Sequence, residues 1–174
     1  MLTDGMAKSP QPAAARKKVV VQRNDGTTAT GYASPAGLGR DDSLDLLTVD
    51  GEHKTIEFSS LRCIYFVTDF AQPFELDRKA FSSRPKLRGL WVRLTFRDGA
   101  TLEGVSPNDL LDLLDNGIQI TPPNLAANCQ RIFVPRLSLA GMMVLGVVGI
   151  ARRQAPRPPA PLTTQRGLFD TDES

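Results

Sequence analysis

A chain of 174 residues with 41% hydrophobic and 23% charged side chains has an ordinary globular composition and room for one domain or two small ones. Two cysteines exclude a disulfide framework and point to a reducing, cytoplasmic setting. The net charge of +2 is split: residues 17–70 carry 6 basic and 8 acidic side chains and residues 89–150 carry 4 and 5, which weighs against the basic face that nucleic-acid binding needs.

Residues 1–16, rich in Ala, Pro and small polar types, lack the apolar core of a secretory signal and are expected to be a disordered tail. Residues 17–70 read as a first β module. Val19, Val21 and Arg23 alternate with Val20 and Gln22, Asp25-Gly26 supplies a hairpin turn, and a second strand follows over Thr28–Tyr32. Gly31 marks a bend or bulge within it. Further strands are expected over Leu44–Val49, Thr55–Ser59 and Cys63–Thr68. Tyr65 and Phe66 read as core, and His53, within Asp50–Lys54, as an exposed loop histidine. Asp41, Asp42 and Asp45 form an acidic loop without the Gly and terminal Glu of a calcium loop.

Residues 71–88 read as a linker bracketed by Pro73 and Pro85, with Phe74, Leu76 and Phe81 available to pin it down. With 5 basic and 2 acidic residues, it offers Arg84, Lys86 and Arg88 as candidate nucleic-acid contacts. Residues 89–150 read as a second module. Val92, Leu94 and Phe96 alternate with Arg93, Thr95 and Arg97, ahead of Asp98-Gly99 and Thr101–Val105. Asp25, Gly26, Thr28 and Gly31 recur 73 positions later as Asp98, Gly99, Thr101 and Gly104. Ile56-Glu57-Phe58 and Leu61 read as recurring 76 positions later, at Ile132-Phe133-Val134 and Leu137. The later strands are expected over Gly117–Thr121, Gln130–Pro135 and Leu139–Val144. A short helix is expected on Leu110, Leu111, Leu113 and Leu114.

Leu137–Ala151 is apolar or small except for Ser138, but its 15 residues fall short of the roughly 20 of a membrane-spanning helix. Met142, Met143, Leu145 and Val147 within it form a candidate association surface. Residues 151–174, Pro-rich and then acidic, are expected to be a second disordered tail.

The order of strand, Asp-Gly turn, Gly-containing strand and late apolar strands resembles the Sm-like fold, an SH3-type five-stranded barrel. It is clearest in Trp91–Val105 followed by Arg131-Ile132-Phe133-Val134-Pro135-Arg136-Leu137. Tandem modules of this look occur in uncharacterised bacterial proteins. The resemblance implies a mainly β chain of two tandem small five-stranded SH3/Sm-like barrels, and it implies single-stranded RNA binding. The family's late-strand Arg-Gly pair is replaced by Pro135-Arg136 here, and by Ser59-Ser60 in the first module.

No zinc-ligand spacing, phosphate loop or nucleophile elbow occurs. The expectation is a non-enzymatic adaptor or scaffold without metal or cofactor, binding a protein partner or itself. Single-stranded RNA binding and membrane association through 137–151 are the alternatives, and DNA is not an expected partner. Modules this small fold alone only marginally, which favours packing against each other or a second chain.

Overall fold

The computed structural model describes residues 15–38, 41–109, 116–124 and 128–149. Residues 1–14 of the first tail, the whole of the second and the Leu110–Leu114 helix lie outside the described residues. Ten strands make up the described fold. The first five are β1 (Lys17–Arg23), β2 (Thr28–Ala33), β3 (Ser43–Thr48), β4 (His53–Glu57) and β5 (Leu61–Val67). The second five are β6 (Gly89–Phe96), β7 (Thr101–Ser106), β8 (Gly117–Ile120), β9 (Cys129–Pro135) and β10 (Leu139–Val148).

The hairpins form as the residues dictate. Gly26 and Gly99 sit at φ +86° and +85°, which an L side chain adopts only with strain. The preceding aspartates fasten each turn: Asp25 Oδ1 accepts the Thr27 N–H at 2.8 Å, and Asp98 Oδ1 the Ala100 N–H at 3.0 Å. Gly31 and Gly104 serve packing instead of a bend or bulge, for the β1–β2 and β6–β7 registers run through them unbroken. A Cβ on Gly31 would lie 2.4 Å from the Leu47 carbonyl oxygen, and one on Gly104 2.6 Å from Ile120 Cδ1. The neighbouring strands, β3 and β8, come too close for any side chain there.

All strands are antiparallel, in a seven-stranded sheet ordered β4-β3-β2-β1-β5-β9-β8 and a three-stranded sheet ordered β10-β6-β7. Neither sheet closes on itself. A bridge between Val105 and Thr121 links β7 to the residue after β8, so the pairing runs as one ribbon from β4 to β10. The two halves share registers. Val19 pairs Gly31 as Val92 pairs Gly104, Val21 pairs Ile64 as Leu94 pairs Met142, and Leu44 pairs Ile56 as Ile118 pairs Val134. The late strands therefore correspond at a spacing of 78, not 76. Leu61 matches Leu139 and Ile56 matches Val134, because a 3-10 turn precedes the last strand in each half, at Phe58–Ser60 and Arg136–Ser138.

Each apolar cluster draws on the other half. Val19, Leu46, Phe58 and Ile64 pack with Phe133, while Val92, Leu94, Ile120 and Ile132 pack with Cys63. The strand pair responsible is β5–β9, with Ile64 opposite Phe133 and Phe66 opposite Arg131. The connector 71–88 has no strand but is laid against the sheets. Pro85 is buried, Phe74 packs at a tilt against Tyr65 at 5.1 Å, Phe81 meets Trp91 edge-on at 6.2 Å, and Leu76 packs against the second cluster.

Three sequence expectations change. His53 opens β4 instead of lying in a loop, since alternation resumes right after the Gly51 turn. The fourth strand ends at Glu57, ahead of the 3-10 turn. The apolar run after Ser138 is a strand carried on to Val148 by its pairing with β6. Among the described residues no helix is long and apolar enough to cross a membrane.

Candidate functional site at the open edge of β10

β10 pairs with β6 on one side, with irregularities at Leu139/Gly141 and Val144/Gly146. No strand pairs with its other side among the described residues. Successive strand side chains point to opposite faces, so a strand covered on one face shows alternate residues to solvent. Here three in a row are exposed: Met142 at 44%, Met143 at 59% and Val144 at 50%. Both faces of β10 are uncovered along this stretch. Val147 is also exposed and Leu145 is half-buried. The four residues singled out as an association surface, Met142, Met143, Leu145 and Val147, thus lie on one strand with an unpaired edge.

The basic candidates come to the same end of the molecule. Arg84 Nη2 donates to the Val147 carbonyl at 2.6 Å, and a Cβ on Gly149 would lie 2.4 Å from Arg88 Cα, so the connector passes beside the end of β10. Arg84, Lys86 and Arg88 are all exposed. Arg84 occupies an outward carbonyl and marks where the open edge stops.

β7 is finished differently. The Glu103 N–H donates to the Lys79 carbonyl at 2.7 Å and the Val105 N–H to the Thr121 carbonyl at 3.0 Å, so connector and β8 together cover that edge. The buried Glu103 carboxylate accepts from Arg93 Nη2 at 2.8 Å, Arg93 Nε at 3.1 Å, Trp91 Nε1 at 3.1 Å and the Phe81 N–H at 3.1 Å. Burial opposes its charge, but these donors outweigh burial and hold the carboxyl below its ordinary value. A second clamp is Asn128, whose Nδ2 donates to the Asp69 and Gln72 carbonyls while Oδ1 accepts from the Thr68 and Asp69 N–H groups. Sequence reasoning missed both residues. The Asp98-Gly99 hairpin sets Arg93 opposite Glu103 and could have signalled that pair, but nothing local signals the Phe81 N–H or the partners of Asn128.

The remaining chemistry is spoken for. A polar cleft of about 610 Å³ lies between the two Asp-Gly hairpins. Inside it Arg62 pairs with Asp98 and lies 4.4 Å over the Phe96 ring; the guanidinium hydrogen bond holds the Asp98 carboxyl below its usual range. Cys63 and Cys129 are buried free thiols, each pushed up to about 12 by desolvation, so neither is a thiolate near neutral pH. Asp45 faces Arg16 at 3.2 Å and His53 at 3.4 Å, and Asp42 accepts from Asn116 at 3.0 Å. Among the described residues no three His, Cys, Asp or Glu gather as metal ligands.

A family model, described as a family of unknown function (DUF6982), matches residues 15–146. No curated protein and no solved structure matches.

Proposed function

The chain belongs to the family of unknown function DUF6982, and we propose that this member is a non-enzymatic adaptor or scaffold that associates through the open edge of β10. We read the two halves as tandem five-stranded modules of SH3/Sm-like type; their shared registers support this reading. The observation that carries the proposal is the run Met142–Val144, exposed on both faces of a strand whose outer edge no described strand pairs. Such an edge is a template for pairing with another chain, and exposed apolar side chains along it add a driving force. The buried, protonated thiols support a binding role over thiol chemistry.

Replacing both Met143 and Val147 with Asp puts charge on the edge without touching the buried clusters. The expected result is a more monomeric species than wild type by light scattering, with circular dichroism unchanged. An unchanged mass would sink the self-associating form of this reading.

A further inference from the structure

We propose that copies of this chain add head to tail, the open edge of β10 in one copy pairing with the open edge of β4 in the next, in the register that joins β5 to β9 within the chain. This rests on reading the β10 edge as the association surface, and it names the partner and the geometry.

The argument is one of equivalent edges. β5 has β1 on one side and β9 on the other. β10, its counterpart in the second half, has β6 in place of β1 and no described strand in place of β9. β9 has β8 on one side and β5 on the other. β4, its counterpart, has β3 in place of β8 and no described strand in place of β5. The molecule therefore contains one example of a β5–β9 joint and both unused halves of a second one, at opposite ends of its strand order. A second copy supplies each missing half.

The register follows from the shared spacing of 78. Ile64 opposite Phe133, Tyr65 opposite Ile132 and Phe66 opposite Arg131 translate into Met142 opposite Thr55, Met143 opposite Lys54 and Val144 opposite His53. The backbone polarity agrees. The Thr48 N–H donates to the Glu52 carbonyl and the Phe58 N–H to the Asp42 carbonyl. Alternation along an antiparallel pair then turns the N–H groups of Ile56 and Lys54 toward β3 and those of Thr55 and His53 outward. Exposure shows what the joint covers. Ile64 and Phe66 are 0% and 5% exposed, where their counterparts Met142 and Val144 are 44% and 50%. The β4 side is polar, with His53, Lys54 and Thr55 all exposed. That makes this joint weaker than the internal one and its formation concentration-dependent. A contact between unlike edges leaves a free edge at each end, so growth does not stop at two chains.

The test is sedimentation velocity of the full chain over a wide concentration range, with two edge variants. Met143→Lys puts a like charge directly opposite Lys54 and blocks β10. Thr55→Pro removes an outward N–H from β4 and leaves its bonds to β3 intact. Wild type is expected to pass beyond dimer as concentration rises, and each variant alone to stay monomeric. Mixed one to one, the variants should form a two-chain species and nothing larger, because each retains the edge the other lacks. If Thr55→Pro associates like wild type while Met143→Lys does not, β10 pairs with something other than β4: the head-to-tail proposal falls and the open-edge reading stands. A wild type monomeric throughout overturns both the proposal and self-association. Circular dichroism and Trp91 fluorescence check folding, and His53→Pro replaces Thr55→Pro if the latter does not fold.

Discussion

β5 and β10 hold the same place in the two halves and keep the same register with β1 and β6, yet β5 is buried along most of its length and β10 is exposed along most of its own. Composition does not explain the difference. Cys63-Ile64-Tyr65-Phe66-Val67 and Gly141-Met142-Met143-Val144-Leu145 are both apolar runs able to form a strand. The difference is the neighbour: β9 covers β5, and no described strand covers β10. Hydrophobicity along a strand states a demand for burial; the topology decides whether the chain itself meets it.

The largest expected effect tests that statement directly. Ile64→Ala empties a site that is fully buried between the halves and is expected to cost about 2–5 kcal/mol. Met142→Ala, at the corresponding position, is expected to cost less than about 0.5 kcal/mol in dilute solution, as for exposed sites generally. Urea unfolding followed by the single Trp91 measures both. Equal costs would mean that Met142 is covered in solution, and the comparison would break.

A smaller effect sharpens it with glycines. Gly104→Ala drives a Cβ to within 2.6 Å of Ile120 Cδ1 and is expected to cost about 1–3 kcal/mol by overpacking. Gly141→Ala, on β10, meets nothing within 4 Å and is expected to stay within about 0.5 kcal/mol of wild type. Thermal unfolding of the two variants at one concentration reads the difference. A Gly141→Ala loss as large as that of Gly104→Ala would place unseen packing against the open edge.

The strands were legible because each half spells them locally. Val92-Arg93-Leu94-Thr95-Phe96 alternates and Asp98-Gly99 turns, but Gly104 read as a bend or bulge and instead lies where β8 comes close. The pairing of β5 with β9 was not legible. It depends on which strand of one half meets which of the other, and Phe66 and Arg131 lie far apart in the chain with nothing local to match them. The spacing of 76 misled for a related reason: Ile132 resembles Ile56 in type, but Val134 takes its place, since the 3-10 turns fix the count backward from the last strand. The candidate association residues could be named from apolarity alone. Their exposure on both faces could not, because Cys63–Val67 reads the same way and is buried. The linker reading of 71–88 failed to foresee the bond from the Phe81 N–H to Glu103, which forms because the connector crosses β7, whereas Arg93 and Trp91 reach Glu103 from β6.

Glu103 shows how the other flank of the second half is finished, and it supplies the smallest effect. Its counterpart in the first half is Thr30, which is exposed and holds no connector. Glu103→Gln keeps the shape but loses the charge, and with it the strength of the bonds from the Phe81 N–H and Trp91 Nε1. Arg93 is about half exposed, so its ion pair adds little. The expected cost at neutral pH is about 1–2 kcal/mol. The sign with pH follows from the carboxyl being held below its ordinary 4.5 in the folded chain. The folded state then binds the proton less readily than the unfolded state does. The stabilisation is full above that ordinary value and is lost as pH falls through the lower folded value. Urea unfolding of wild type and Glu103→Gln should therefore show a gap at neutral pH that narrows on the acid side. A gap that persists undiminished in acid would assign the role of Glu103 to shape and not to charge, and the edge of β7 would then be held by the Lys79 carbonyl and Thr121 alone.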